Sequence, residues 1–302
     1  MAIVLITGGS GLIGRSLTQA LLARGDQVRW LSRRAGLVDG VRAFSWDPAR
    51  GTIDKEALRG VDRIVHLAGS GIADKRWSRS RVADLIASRA ESSRVLLQAA
   101  VEAGRHPQCI VSASGVGYYG AVTRDAPFTE DDPPGNDTIA RITVEWERAV
   151  DEWASVCRVV KLRTPVVLAR TSGALPRLAA PARWGLAAPL GSGKQWMPWV
   201  HIEDLMEAYL HALDDESMHG AYNIVGGNCT NRDFTRALAR ALHRPLWLPP
   251  VPGFLMRVAL GEMAGLLLNG SPVQSVRLKG ALAIQHPGLE SALRDLLLTS
   301  SK

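Results

Sequence analysis

The sequence predicts an α/β fold: a doubly wound, parallel Rossmann sheet with a smaller, interlaced C-terminal substrate domain. Three observations carry that prediction. Apolar, β-branched runs alternate with helix-period stretches through the first half, a glycine-rich turn joins the first strand to the first helix, and proline-rich segments interrupt the second half.

Ala2–Thr7 is a continuous β-branched run and reads as a buried strand. After the turn, Leu12, Ile13, Leu17, Leu21 and Leu22 recur at helical spacing, and Gly25 stands where a C-terminal cap belongs. Gln27–Leu31, Val41–Trp46 and Asp62–Leu67 read as the second, third and fourth strands. Arg81–Ala103 is one long helix stopped by Gly104, Cys109–Ala113 a fifth strand, Thr138–Ser155 a helix and Arg158–Leu168 a sixth strand. Val200–Val225 returns to a helix-then-strand pattern between two proline-bearing stretches, 171–198 and 245–273. The expected division is therefore 1–170 with 200–226 as the cofactor domain, and 171–199 with 227–302 as the smaller substrate domain.

The balance of residues excludes several classes. With 22% charged and 46% hydrophobic residues, a disordered or fibrous chain is not expected. The net charge of +7 invites a nucleic-acid reading, yet the densest basic cluster, between Lys75 and Arg94, is interleaved with Asp74, Asp84 and Glu91. It reads as a solvated surface friendly to anions, so no nucleic-acid partner is expected. Cys109, Cys157 and Cys229 form no CxxC pair, which argues against zinc or a disulfide framework; no metal is expected. No apolar stretch approaches the roughly 18–20 residues that span a bilayer, so no membrane partner and a cytoplasmic location are expected.

The turn itself, Thr7-Gly8-Gly9-Ser10-Gly11-Leu12-Ile13-Gly14, fits two fingerprints at once: Gly9-x-Gly11-x-x-Gly14 and Gly8-x-x-Gly11-x-x-Gly14. Either way it follows a strand and opens a helix, the context in which free helix N–H groups meet a pyrophosphate. At the end of the second strand an acidic residue would take the ribose hydroxyls of NAD. Ser32-Arg33-Arg34 stands there instead, and guanidinium groups suit a 2′-phosphate, so the expected cofactor is NADP(H).

Four stretches, "TGGSGLIG", "HLAG" (66–69), "SASGVGYYG" (112–120) and "WVHIEDL" (199–205), resemble the extended short-chain dehydrogenases of the NAD-dependent epimerase/dehydratase superfamily. Arg76-Trp77, Ser88-Arg89, Trp146-Glu147 and "GSGKQW" narrow the resemblance to the SulA-like, nucleoside-diphosphate-sugar-epimerase-related group of atypical members. It runs along nearly the whole chain and departs at Gly280-Ala281-Leu282-Ala283, where the family has a Gly-aromatic-x-aromatic stretch. The resemblance implies cofactor contacts from Gly8, Ser10, Gly11, Leu12, Ile13 and Gly14, and from Leu67, Ala68 and Gly69 along the nicotinamide half. It places Ser32 and Arg33 on the 2′-phosphate, and Arg89 within reach of a phosphate where other members carry Asn. His201 and Asp204 would be structural support.

The chemistry is where the pattern breaks. Short-chain dehydrogenases use a Tyr-x-x-x-Lys pair, in which Lys lowers the Tyr pKa for proton exchange. Aligned on Glu147, those positions hold Ile139 and Thr143. What remains is Ser114, able to polarise a carbonyl, and Tyr119, a proton donor in need of an activating cation such as Lys194. Glu130, Asp131 and Asp132 read as a solvated acidic loop. Trp184, Trp196 and Trp199 read either as a stacking surface for a ligand or as interdomain packing. The expected function is an NADP(H)-binding epimerase- or oxidoreductase-like protein acting on a small, phosphorylated or nucleotide-linked substrate. The rival is a non-catalytic NADP(H) sensor or partner-binding module. The sequence does not fix an oligomeric state.

Overall fold

The computed structural model describes residues 1–278, 280 and 282–298; Ala281, part of the expected departure near the C-terminus, lies outside them. The first half alternates as the periodicity demands: β1 (Ile3–Thr7), α1 (Leu12–Ala23), β2 (Gln27–Ser32), β3 (Gly36–Val38), β4 (Val41–Asp47), β5 (Thr52–Ile53), β6 (Arg63–His66), α2 (Arg79–Glu102), β7 (Cys109–Gly115), α3 (Thr138–Asp151) and β8 (Arg158–Thr164). The second half holds β9 (Val166–Leu168), α4 (Ala174–Arg183), β10 (Trp196–His201), α5 (Ile202–Asp214), β11 (Gly220–Asn223), β12 (Gly227–Thr230), α6 (Asn231–Ala241), α7 (Gly253–Leu260), α8 (Gly265–Leu268) and α9 (Leu289–Leu298).

The larger sheet has nine strands, running β11-β8-β7-β6-β1-β2-β4-β3, with β5 on β4. Pairing is parallel from β11 through to β4, and β3 and β5 join β4 antiparallel. The winding direction reverses at β1, which has β2 on one side and β6 on the other. A crevice opens at such a switch point, beyond the carboxyl ends of the strands.

Period-two alternation within β1 explains why both faces are covered. Val4 and Ile6 pack with Leu17, Leu21, Leu205 and Tyr209 under α1 and α5. Leu5 points the other way, onto Ile64, Leu96, Ile110, Val150 and Trp153 under α2 and α3. All three β1 side chains are fully buried, and each such burial stabilises the fold by about 2 kcal/mol.

The expected sixth strand, Arg158–Leu168, is divided in the structure. Residues up to Thr164 stay in the large sheet, whereas Val166–Leu168 pairs parallel with β10 in a second sheet ordered β12-β10-β9. Pro165 marks the break, because it has no N–H to continue the ladder. Periodicity alone could not show this, since both halves are apolar. The helix expected over 138–155 likewise ends at Asp151 and tightens into a 3₁₀ turn over Glu152–Ser155. The second sheet carries its own core, in which Leu168, Leu175, Trp199, Phe234, Leu238 and Leu293 meet between α4, α6 and α9.

Candidate cofactor cleft and its buried network

A cleft of about 680 Å³ runs from the glycine turn at the switch point to the second sheet. Gly8, Gly11, Leu12, Ile13 and Gly14 line its first end, and Leu67 and Arg89 its side. Ser114, Tyr119, Ile139 and Thr143 follow further along, and Trp196 and Pro198 come from β10.

The structure separates the glycines by what each must avoid. Gly8 has φ of +70°, and a Cβ there would lie 2.8 Å from the Leu67 carbonyl oxygen. At Gly14 a Cβ would fall 2.5 Å from Gly8 O, inside the turn. Gly9, the extra glycine of the first fingerprint, is needed for a different reason: its Cβ would enter the Trp30 indole. Gly9 thus answers a packing demand from Trp30, whereas Gly8 and Gly14 are required by the backbone of the turn and the loop beside it. At Gly11 a Cβ would meet only Gly8 O, at 3.3 Å; its lack of a side chain matters on the cleft side.

Gly11 is also the N-cap of α1 and offers no side chain there, whereas α2, α3, α5 and α6 are capped by Ser78, Asp137, His201 and Thr230. The first N–H groups of α1 are thus left for an anion. Ser10 is exposed beside them. Ser32 is half-buried at the end of β2, while Arg33 and Arg34 are exposed, with no side-chain hydrogen bond or ion pair among the described residues. Donor geometry, charge and open access fit a dinucleotide with a phosphorylated ribose.

The loop after β6 is fixed from behind by one hydroxyl. Thr7 Oγ1 accepts from the N–H groups of Leu67 and Ala68, both at 3.1 Å, and contacts His66 Nδ1 at 3.0 Å. Two accepted bonds use both lone pairs, so the Thr7 proton goes to Nδ1. The imidazole then carries its own proton on Nε2, which faces Ser92 Oγ at 3.2 Å, and Ser92 donates to Arg89 O at 2.9 Å. His66 is completely buried, and burial holds its pKa down to about 4.

Arg89 does not extend freely into the cleft. It is buried under the same loop, donating to Leu85 O at 3.0 Å and Ser70 O at 2.8 Å, with its guanidinium carbon 5.0 Å from the Trp146 ring centre. Burial, and then the charge of Arg81, hold its pKa down to about 10. Gly69 is small because a Cβ there would sit 3.1 Å from Arg89 Cγ.

Where the catalytic pair of short-chain dehydrogenases would face the cleft, the wall is aliphatic. Ile139 packs so closely that a Cβ on Gly117 would lie 2.6 Å from its Cγ1. Thr143 spends its hydroxyl on Ile139 O at 2.9 Å. Behind this wall lies a connected polar network. Ser114 Oγ donates to Glu147 Oε1 at 2.6 Å, and Arg163 grips Glu147 with two bonds of 2.8 and 2.9 Å. Arg163 also donates to the Tyr119 hydroxyl at 3.1 Å, which in turn donates to Asn223 Oδ1 at 2.8 Å.

Burial pushes the Glu147 carboxyl up, but the bonds and charge of Arg163, helped by Ser114 and Lys161, outweigh it and hold the group below the usual range. For Tyr119 the balance goes the other way: burial dominates over Arg163 and raises the phenol above its ordinary value. The cation beside Tyr119 is thus Arg163; Lys194 is exposed, its backbone N–H held by Ser192. Arg163 and Asn223 escaped the sequence reading. Their only signal is a charged and an amide residue at the ends of two apolar strand runs.

One other expectation changes. Glu130 is buried, not solvated: it accepts from Asn223 N, Ser275 Oγ and Val276 N at 2.6–2.9 Å. The three tryptophans divide: Trp199 packs in the second core, Trp196 lines the cleft and Trp184 is exposed. Asp204 is buried and accepts from Gln285 N and His286 N at 2.7 and 3.2 Å, and His201 Nδ1 accepts from Glu203 N at 3.2 Å. His201 and Glu203 also lie near His286, but the two imidazoles stack face to face at 3.7 Å.

The chain as a whole has known relatives. A sequence profile described as the NAD dependent epimerase/dehydratase family matches residues 4–225. The chain belongs to the NAD-dependent epimerase/dehydratase family. Within that family it is 38% identical over 296 residues to an epimerase family protein of Mycobacterium tuberculosis, covering 97% of this chain and 96% of that one. It is 35% identical over 301 residues to the epimerase family protein SDR39U1 of Bos taurus, covering 97% and 99%. The crystal structure of human epimerase family protein SDR39U1 (isoform 2) with NADPH matches at a TM-score of 0.87 and 34% identity, covering 97% and 98%. A UDP-N-acetylglucosamine 4-epimerase from Bacillus cereus shares the fold at a TM-score of 0.78 and 18% identity. Among the described residues of this family member, no helix is long and apolar enough to cross a membrane.

Proposed function

We propose that the protein binds NADP(H) along the carboxyl ends of β1, β2, β6 and β7, and acts as an epimerase- or oxidoreductase-like protein on a small substrate held against the second sheet. The observation that carries this reading is the end of β2. Arg33 and Arg34 stand exposed, with no side-chain partner among the described residues, where an acid would favour NAD. The human relative solved with NADPH supports the same choice. Gly8, Ser10, Gly11, Leu12, Ile13 and Gly14 hold the pyrophosphate, Ser32, Arg33 and Arg34 the 2′-phosphate, and Leu67, Ala68 and Gly69 the nicotinamide half. Arg89 shapes the loop that carries those three. The chain up to Thr164, with α5 and β11, forms the cofactor part, and the second sheet with α4, α6 and the helices after it forms the substrate part, so that the boundary expected at 170 moves to Pro165 and β10 goes whole to the smaller part.

The nicotinamide would accept or donate a hydride when bound. Ser114 sits at the cleft wall, but its proton is committed to Glu147, so it offers substrate only a lone pair. Tyr119 gives its proton to Asn223 and accepts from Arg163; as a donor to substrate it would have to leave that pairing. This commitment of both hydroxyls favours a second reading, an NADP(H)-responsive binding module without turnover. A substrate panel read by loss of NADPH absorbance separates the two: substrate-dependent oxidation supports the enzyme, and tight NADPH binding with none supports the module. Replacing both Arg33 and Arg34 by Ala tests the cofactor choice, since equal losses for NADPH and NADH would remove the 2′-phosphate role.

A further inference from the structure

A second surface lies beyond the cleft. The chain from Trp184 to Leu190 runs beside that from Trp247 to Val251, tied by Trp247 Nε1 to Gly185 O at 3.1 Å and by the bridge of Leu190 with Val251. Helix α7 follows directly. Its Phe254 and Val258 are 63% and 73% exposed, and Trp184 and Trp247 are 84% and 66% exposed. Six large apolar side chains, counting Leu186 and Leu255, are therefore left in water along adjoining segments. Large apolar side chains exposed together on adjoining segments mark a contact surface.

Charge decides the partner. Neither segment 171–202 nor segment 234–261 contains a single Asp or Glu. Arg183, Arg244 and Arg257 are exposed among the apolar groups and have no ion-pair partner among the described residues. A two-fold contact with a second copy would set these cations against each other. Apolar side chains with an unopposed cationic rim instead fit the headgroup region of an anionic bilayer, where aromatic rings enter the acyl boundary and Arg stays with the phosphates. Trp247 suits that role, because its indole N–H is already satisfied by Gly185 and carries no unpaired donor inward.

We infer that this face, formed by the Trp184 and Trp247 turns and α7, docks peripherally on anionic lipid surfaces. This is attachment at the interface without a spanning segment, and it revises the expectation of no membrane partner. The face adjoins the cleft, because Leu266 and Leu267, six and seven residues beyond α7, line it.

Sedimentation with phosphatidylcholine vesicles, with and without phosphatidylglycerol, tests the inference on the whole protein. Wild type should pellet with the phosphatidylglycerol vesicles only, and less so as salt rises. Trp247→Ser with Phe254→Ser should abolish pelleting, and Arg244→Glu with Arg257→Glu should weaken it by roughly fivefold per charge or more. Unchanged NADPH affinity in both variants shows that they fold. Wild type that stays in the supernatant, or pelleting equal in wild type and variants, overturns the inference. So does a concentration-dependent dimer by analytical ultracentrifugation that Trp247→Ser with Phe254→Ser dissociates, in the absence of vesicle binding.

Discussion

The glycine-turn end of the cleft and its β7–β8 end spend their polar groups in opposite ways. At the first, α1 starts without a capping side chain and Arg33 and Arg34 are unpaired among the described residues. At the second, Arg163 commits all three nitrogens to Glu147 and Tyr119, and Ser114 and Tyr119 give their protons to protein acceptors. Unspent donors are available to a ligand, and paired ones hold the scaffold. The difference teaches that being near a cleft is a poor guide to chemical role when the hydrogen bonds are already made.

The contrast is broken most severely at Glu147. Replacing it with Ala leaves Arg163 buried and uncompensated, so equilibrium denaturation should show a loss of about 3–5 kcal/mol. A loss under about 1 kcal/mol would mean that the network is not structural.

Acid probes the wall between the two ends. His66 is neutral when folded down to pH about 4 and titrates near 6.5 when unfolded, so the unfolded chain binds the extra proton first. Stability should therefore fall as pH drops from about 6.5 to about 4, by on the order of 3 kcal/mol from this group. Denaturation curves of wild type and His66→Asn across that window isolate the contribution, and parallel pH slopes would refute it.

At the open end, Arg33→Ala with Arg34→Ala should weaken NADPH roughly 10- to 100-fold while leaving NADH within about twofold, the loss expected for one or two charge-assisted contacts. Titration by nucleotide fluorescence measures it. The smallest effect belongs to Tyr119→Phe. It should cost about 1–2 kcal/mol of stability through lost hydrogen bonds and leave NADPH affinity unchanged. If turnover exists and disappears in this variant while stability holds, Tyr119 is the proton donor after all.

The parallel sheet, the switch point and the glycine turn were legible because they depend on local pattern: β-branched runs, helical spacing and residues without side chains. The break at Pro165 was not, because membership of one sheet or another is decided by pairings distant in sequence. Glu130 shows the same limit. Its neighbours Asp131 and Asp132 suggested a solvated loop, whereas its true partners are contributed by Asn223, Ser275 and Val276. The vacancy at Ile139 and Thr143 could be read directly; the network that uses Ser114 and Tyr119 could not, since Arg163 lies on another strand.

The ordered protons around His66 bear on what the cleft can tell apart. With Thr7 facing one ring nitrogen and Ser92 the other, the imidazole stays electrically silent beside the switch point. The positive potential beside the switch point then comes from the free N–H groups that start α1 and from arginines, of which Arg33 and Arg34 are exposed at the end of β2. A cation at position 66 would attract every anionic nucleotide alike. Its neutrality leaves a choice between two cofactors that differ by one phosphate to the exposed residues at the end of β2, the role proposed for Arg33 and Arg34.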